Sequence, residues 1–184
     1  MIIPRDGIIQ NGTFIQKNNF GEMEVKGSYR NGKPHGKFIQ YYLNDFFNHD
    51  NTDNNRKVKH EVNYVNGKIE GHAVEYYENG NIEWESIFRN GVQEGKHYQY
   101  YENGNKELEI DFENGLFNGR WVLYFENGNI NTIGIYENGQ KNGKWVQYWE
   151  NGTKALDGFY TNGIQTGVWV YYDSNGIISK REEF

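Results

Sequence analysis

Histidines are the first side chains of this sequence that could perform acid–base or metal chemistry. The five histidines are His35, His49, His60, His72 and His97. No two of them have the spacing that places two metal ligands on one helix face, and a zinc or catalytic site would need such a cluster. We therefore expect no metal site, no catalytic residue and no enzyme activity.

Carboxylates occur in pairs separated by one residue, as in Glu83 with Glu85 and Glu107 with Glu109. Alternate residues of a strand face the same side of a sheet, so each pair is expected to share one face. Two neighbouring carboxylates could act as general acid and general base. A solvated sheet face is the interpretation we favour, because the pair recurs with each copy of a longer pattern.

Two kinds of short segment have some residues of ligand-binding loops without the full pattern. Residues 139–145, GQKNGKW, and residues 32–38, GKPHGKF, are one residue short of a phosphate-binding loop and lack its Ser or Thr. Residues 50–55, DNTDNN, lack the central Gly and the closing Glu of a calcium loop. The absence of Cys excludes disulfides and thiol nucleophiles. We expect hairpin turns and a solvated loop at these places, and no cofactor.

Aromatic side chains are the remaining candidates for function, since they form 17% of the residues and could bind a partner by contact. A large exposed aromatic patch commonly marks an interface. The candidate partner-binding residues are Phe46, Phe47, Tyr77, Tyr101, Phe125, Trp149, Trp121, Trp145 and Trp169. The same rings could instead form the core, and the sequence leaves both interpretations open.

Phe46 and Phe47 stand in an eleven-residue insertion, DFFNHDNTDNN, at positions 45–55. Repeat arrays tolerate insertions at hairpin tips, often on the binding face. We expect these adjacent phenylalanines either to contact a partner or to pack back onto the sheet.

A repeat of 24 residues positions nearly all of these side chains. Asn-Gly recurs in one series at Asn66, Asn90, Asn114, Asn138 and Asn162, and in a second series at Asn79, Asn103, Asn127, Asn151 and Asn175. Residues 12–44 follow the same pattern before the insertion interrupts it. We expect a single repeat array over residues 1–184, with an insertion loop at 45–55.

Each repeat is expected to be a β-hairpin, because Asn-Gly between alternating strands is a strong hairpin signal. The second series is expected to form two-residue turns and the first series a longer turn. Strand alternation then places Trp121, Trp145 and Tyr160 on one face and Val122 and Glu109 on the other. The predicted fold is all-β: an elongated, curved, single-layer antiparallel meander of stacked β-hairpins, in which Gly134 and Gly158 let the sheet bend.

The repeat resembles a known family. Residues 29–42, YRNGKPHGKFIQYY, and residues 136–152, YENGQKNGKWVQYWENG, resemble the MORN repeat. The doubled aromatic before Glu-Asn-Gly is similar to the bacterial variant found in YwqK-type antitoxin proteins. The resemblance implies a hairpin solenoid that binds another protein. Trp121, Trp145 and Trp169 stand where the eukaryotic pattern has Gly, so the resemblance does not extend to lipid binding.

Charge and hydropathy restrict the partner and the location. The net charge is −6, which disfavours nucleic acid and anionic membrane and favours a basic protein. No run of apolar residues is long enough to span a membrane, and the first residues do not read as a signal peptide, so we expect a cytoplasmic protein. The last eight residues, IISKREEF, place four charges in a row, which blocks edge-to-edge pairing and favours a monomer.

Two functions follow as hypotheses. The first is an antitoxin or immunity protein that covers the active site of a basic toxin with an acidic, ring-lined surface. The second is a structural scaffold or envelope-associated adaptor that binds a protein or a glycan without neutralising it. Electrostatic occlusion should weaken with added salt, whereas docking through rings should not.

Overall fold

The computed structural model describes residues 10–19, 21, 23–43 and 56–184 of the chain. The insertion at 45–55, with Phe46 and Phe47, lies outside the described residues, so its predicted role stays a prediction. The chain forms two compact units, Met1–Val92 and Gln93–Phe184, and each is described by itself. The single array over residues 1–184 also stays a prediction.

The first unit contains one antiparallel sheet. Its strands are β1 (Asn11–Lys17), β2 (Met23–Arg30), β3 (Lys33–Pro34), β4 (Gly36–Tyr41), β5 (Val58–Val65), β6 (Lys68–Tyr76) and β7 (Ile82–Arg89). Strands that follow one another in the chain are neighbours in the sheet, and the short β3 pairs with β2 beside this path. Phe14, Val25, Tyr29, Phe38 and Val62 form the buried cluster of this unit together with Ala73.

The second unit is also one antiparallel sheet of sequential strands. Its strands are β8 (Val92–Tyr100), which begins at the unit boundary, β9 (Lys106–Glu113), β10 (Leu116–Tyr124), β11 (Ile130–Glu137), β12 (Gln140–Tyr148), β13 (Lys154–Thr161), β14 (Ile164–Tyr172) and β15 (Ile178–Glu183). Strand limits recur every 24 residues, as in β10, β12 and β14. These strands confirm the predicted all-β antiparallel meander and its period. Among the described residues there is no helix that is long and apolar enough to cross a membrane.

The two Asn-Gly series form different turns, and the prediction had exchanged them. Asn162-Gly163 is the two-residue turn, since Thr161 pairs directly with Ile164. The asparagines of this series have φ of 49–53° and their glycines 71–85°, the left-handed pair that a type I′ turn requires. The other series, as in Asn151-Gly152, lies in five-residue loops such as residues 149–153, between β12 and β13.

Each two-residue turn is followed by a bulge that preserves the faces of the sheet. Ile135 pairs with Asn142 and Ile133 with Val146, so residues 143–145 lie opposite the single residue Gly134. The bulged strand therefore contains two extra residues, an even number, and its side chains return to the same side. The predicted placement of Trp145 and Tyr160 on one face is confirmed, with ring centroids 5.8 Å apart.

A second irregularity separates the carboxylate pair that was expected to share a face. The register shifts between Gln99 and Tyr100, which pair with Leu108 and Lys106 respectively, so Glu107 has no partner across the strand. Glu107 then accepts a hydrogen bond from Gln99 Nε2 at 2.8 Å. Glu109 pairs with Tyr98. Neighbouring residues of a strand face opposite sides of the sheet, so Tyr98 and Glu109 lie on the side opposite to Gln99. The shared-face prediction is wrong here because the bulge rotates one member of the pair.

We call the side of the second sheet that bears Trp121, Tyr136, Trp145, Tyr160 and Trp169 the tryptophan face, and its other side the valine face. Successive rings on the tryptophan face meet edge to face, with centroids 5.4 Å apart for Tyr136 and Trp145 and 5.1 Å for Tyr160 and Trp169. Such pairs stabilise beyond the area they bury. Each ring is therefore packed by the neighbouring hairpin rather than by a second layer.

Gly134 and Gly158 make room for these rings, while their predicted role in bending the sheet stays a prediction. Neither glycine has the positive φ that only glycine adopts readily. A Cβ on Gly134 would lie 2.2 Å from the indole of Trp145, and one on Gly158 the same distance from Trp169. Their lack of a side chain is a packing requirement.

The valine face is also buried along its middle. Val122 has no exposed surface and lies between Glu109 and Ile133 on the two neighbouring strands. Glu109 is only 7% exposed. A buried carboxylate requires partners, and those of Glu109 are cations from three strands.

Candidate functional site

Every five-residue loop of the second unit repeats one backbone geometry. In the first of them Tyr101 N–H donates to Asn105 O at 2.8 Å, and Gly104 N–H donates to Tyr101 O at 2.8 Å. The side chain of Asn103 accepts from Asn105 N–H at 2.8 Å. This last bond is an Asx turn, in which a side chain replaces a backbone acceptor. The loops are therefore closed by their own hydrogen bonds.

The loops lie side by side along one edge of the sheet, which we call the loop edge (residues 101–105, 125–129, 149–153 and 173–177). Consecutive loops are joined by asparagine side chains. Asn105 Nδ2 donates to Glu126 O at 2.9 Å, and Asn129 Nδ2 donates to Glu150 O at 3.0 Å. Asn151 Nδ2 likewise donates to Ser174 O at 2.9 Å. These bonds fix the distance between neighbouring loops.

The aromatic residues that open these loops join the same network. Tyr101 hydroxyl donates to Tyr124 O at 2.7 Å, and Trp149 Nε1 donates to Tyr172 O at 3.2 Å. Tyr42 of the first unit donates equivalently to Tyr76 O at 2.5 Å. The polar atom of each ring is thus directed to the next hairpin. Trp149 nevertheless stays 43% exposed.

One glutamate follows the aromatic residue in three successive loops, at Glu102, Glu126 and Glu150. All three are exposed. The backbone carbonyls of Glu126 and Glu150 accept the hydrogen bonds from Asn105 and Asn129. The backbone positions of these two glutamates are therefore fixed. Within the described part of the chain neither Glu126 nor Glu150 forms an ion pair. The loop edge therefore presents alternating rings and carboxylates.

The structure divides the candidate partner-binding residues into two groups. Tyr101, Phe125 and Trp149 lie together on the loop edge, and Tyr77 occupies the same repeat position in the first unit. The three tryptophans at 121, 145 and 169 lie on the tryptophan face instead. Trp145 and Trp169 are only 4% and 3% exposed, so they offer a partner little surface. Trp121 is half-buried.

Two buried or half-buried acids of the valine face, Glu109 and Asp157, have lowered pKa values. Burial raises the pKa of Glu109, but a hydrogen bond from Lys106 and the charges of Lys106, Lys96 and Arg120 outweigh it and hold the pKa below its usual value. Lys96 Nζ also lies 2.9 Å from Asp111. This arrangement stabilises the charged form of Glu109 within a network of ion pairs on the sheet.

Asp157 repeats this arrangement two hairpins later. Burial raises the pKa of Asp157, but hydrogen bonds from Lys154 and Tyr172 and the charges of Lys154 and Lys144 outweigh burial and hold the pKa below its usual value. Burial also lowers the pKa of His97. No group of three or more His, Asp or Glu in the described ranges is placed to hold a metal ion.

Sequence reasoning missed the asparagine bonds that organise the loop edge. Asn103, Asn127 and Asn151 were interpreted only as turn residues, yet their side chains bond to residues 23 positions later in the next hairpin. A signal was present, because Asn or Thr recurs two positions after each of them, at Asn105, Asn129 and Thr153. That spacing is typical of an Asx turn followed by a second donor.

Comparison with known proteins agrees with the hairpin geometry. The model of a family described as MORN repeat variant matches residues 69–91, 93–114, 117–140 and 141–163, which together are half of the chain. A search of curated proteins returned no match. MORN repeats are generally protein-binding or membrane-binding modules. This protein belongs to the MORN repeat variant family.

Proposed function

We propose that this protein binds a basic protein through the loop edge of its second unit, as an antitoxin or immunity protein that covers a toxin. The observation that supports the proposal most is the regular row of one ring and one exposed carboxylate per loop in three successive loops. Adjacent hairpins are separated by about 10 Å, twice the strand spacing. A row of that spacing suits the Lys and Arg side chains of a basic surface.

The charge of the second unit supports a basic partner. Residues 93–184 contain 13 Asp and Glu against 8 Lys and Arg, whereas residues 1–92 contain 12 against 11. The excess of acid is therefore concentrated in the unit that bears the loop edge. Complementary charge accelerates encounter and rejects acidic partners. The same charge opposes docking on the anionic leaflet of a membrane, the other general role of this repeat.

Pre-organisation of the loop edge favours binding over a merely structural role. The bonds of Asn105, Asn129 and Asn151 hold each loop to the next before any partner arrives. Less loop entropy is then lost on association, which raises affinity without new contacts. Rings such as Trp149 supply the apolar contact that interfaces concentrate at their centres.

The experiment is affinity copurification from the native host, followed by measurement of the captured protein. We expect a basic protein whose affinity falls about tenfold or more as salt rises from about 50 to 500 mM. The toxicity of that protein should disappear when both are coexpressed. Capture of a protein that harms no cell would support the scaffold or adaptor role and contradict the antitoxin role. Capture of an acidic protein, or binding insensitive to salt, would contradict the proposed edge.

A further inference from the structure

A cleft of about 300 Å³ lies on the tryptophan face of the second unit, away from the loop edge. Its walls include Trp121, Trp145, Tyr160 and Trp169, with Lys141 and Gln165 among its polar lining residues. A cleft of this size is at the lower limit of small-molecule sites, which combine apolar walls with a few placed polar groups. Its size therefore suits a small molecule better than a folded partner.

Lys141 is the feature of this cleft that the repeat does not require. The residues at its position in the other hairpins are Ile69, Gln93, Phe117 and Gln165. Its ammonium lies 4.5 Å from the ring centroid of Trp145 and 5.1 Å from that of Tyr160. These cation–π contacts place a half-buried positive charge against apolar walls.

The ammonium of Lys141 also lacks the partner that its neighbours have. Lys144, three residues later on the valine face, lies 3.4 Å from Asp157, and Lys154 lies 3.1 Å from the same carboxylate. Within the described ranges no carboxylate forms an ion pair with Lys141. A cation without an anion, in a unit with an excess of acid, marks a place where an external anion can bind.

Trp169 forms another wall of the same cleft. Its side chain is 97% buried, yet its indole Nε1 has no hydrogen-bond partner among the described residues. The equivalent atom of Trp145 donates to Ile135 O at 3.3 Å. Buried indole N–H groups usually find an acceptor, because a buried N–H without a hydrogen bond loses its bonds to water and gains none in return. The unpaired N–H of Trp169 is itself buried, so its NMR signal can report occupancy of the cleft that this residue lines.

We propose that this cleft binds a small monocarboxylate with an apolar body. The carboxylate forms an ion pair with Lys141, while its apolar body lies against Trp121 and Tyr160. A carboxylate fits because it accepts several donors at once. The site is separate from the loop edge and does not depend on the proposed protein partner.

Benzoate is the probe, and benzamide is its neutral analogue of the same shape. Each is titrated into the full chain while the indole N–H signals are followed by ¹H–¹⁵N NMR, with the Trp169 signal assigned from Trp169→Phe. We expect benzoate to shift the Trp169 signal saturably and benzamide to bind at least tenfold more weakly. Equal binding of the two probes, or an unmoved Trp169 signal, would overturn the proposal.

Variants of the lysine test the ion pair. Lys141→Gln installs the residue that the next repeat carries at Gln165, so the fold should tolerate it. We expect Lys141→Gln to weaken the binding of benzoate at least tenfold and to leave the binding of benzamide unchanged. Lys141→Met, which keeps an apolar side chain, should have the same effect. Lys144→Gln, on the valine face, is the matched control and should leave the binding of benzoate unchanged. Undiminished benzoate affinity in a folded Lys141 variant, or equal binding of inorganic phosphate by the native chain, would contradict a carboxylate site.

Discussion

The indole of Trp145 packs directly against the backbone of Gly134, so closely that a Cβ on the glycine would lie 2.2 Å from the ring. Trp121 pairs with the same glycine across the strand from the other side, and its ring centroid lies 5.4 Å from that of Trp145. The indole of Trp145 thus occupies the space above the missing side chain, and the ring of Trp121 packs beside that indole. Glycine on one strand leaves room for the indole of the next strand, and this arrangement recurs at Gly134 with Trp145 and at Gly158 with Trp169.

Gly134→Ala should destabilise the protein by about 1–3 kcal/mol, the usual cost of overpacking. The backbone of Gly134 has no positive φ, so a loss of stability would report the clash with Trp145 and not backbone strain. Urea unfolding measures the free energy. Trp145→Leu should relieve part of the cost in the double variant, because a smaller side chain leaves room for the methyl. Additive losses in the double variant would contradict the proposed contact.

Trp145→Ala should cost about 3–5 kcal/mol, as truncation of a buried aromatic side chain does. Trp145 is 4% exposed and contacts Tyr136 and Tyr160 on the two neighbouring strands. Tyr148→Ala should cost clearly less, because Tyr148 is only half-buried on the valine face. Thermal or urea unfolding of both variants gives the comparison. Similar small losses would mean that the tryptophan face is not the core of the second unit.

Asn151→Ala should cost about 1–2 kcal/mol, since it removes a hydrogen bond within one loop and another to the next. Asn151 Oδ1 accepts from Thr153 N–H at 3.0 Å, and its Nδ2 donates to Ser174 O at 2.9 Å. Asn175→Ala is the matched control, because Asp173 accepts from Ile177 N–H in that loop. The midpoints of urea unfolding of Asn151→Ala and Asn175→Ala give the comparison. A loss from Asn175→Ala as large as that from Asn151→Ala would contradict a stabilising role for these two bonds of the Asn151 side chain.

Glu109→Gln should destabilise the protein by about 1.5–3 kcal/mol at pH 7, the range for hydrogen bonds to charged groups. The folded pKa of Glu109 lies below its usual value, so the stabilising charge is present above about pH 4.3, the unfolded pKa, and is lost as pH falls through the folded pKa. The difference from the native chain should therefore shrink at pH 3. Glu113→Gln, at an exposed position, is the control. A difference that persists unchanged at pH 3 would contradict the ion-pair account.

The fold could be predicted from the sequence because its signals are local and repeat. Asn-Gly every 24 residues fixed where the chain turns, and alternation fixed which face Trp145 and Tyr160 share. The turn types could not be separated, because the same dipeptide forms both. Asn162-Gly163 becomes a type I′ turn with Gly163 N–H donating to Lys141 O, whereas Asn151 closes its loop through Thr153. These choices depend on partners that only the register brings close.

The candidate site was found in part for the same reason. Tyr101, Phe125 and Trp149 were identified from their types, but their gathering on one edge follows from loops that the prediction had treated as two-residue turns. The asparagine bonds join residues 21 to 23 positions apart, and no local pattern shows such a contact. Burial of Trp145 and Trp169 likewise depends on the neighbouring strands, where Gly134 and Gly158 leave space for their rings.

The central claim, that the loop edge binds a basic protein, is tested most directly by two double variants of equal charge. Glu126→Gln with Glu150→Gln neutralises the loop edge, and Glu113→Gln with Glu137→Gln neutralises two exposed positions beside the two-residue turns at the opposite ends of the strands. The dissociation constant of the copurified partner is measured for each at low salt by calorimetry. We expect the first pair to weaken binding at least tenfold, about 1.4 kcal/mol, and the second pair to change it less than threefold. Equal effects of the two pairs, or no effect of the first, would contradict the loop edge as the binding surface.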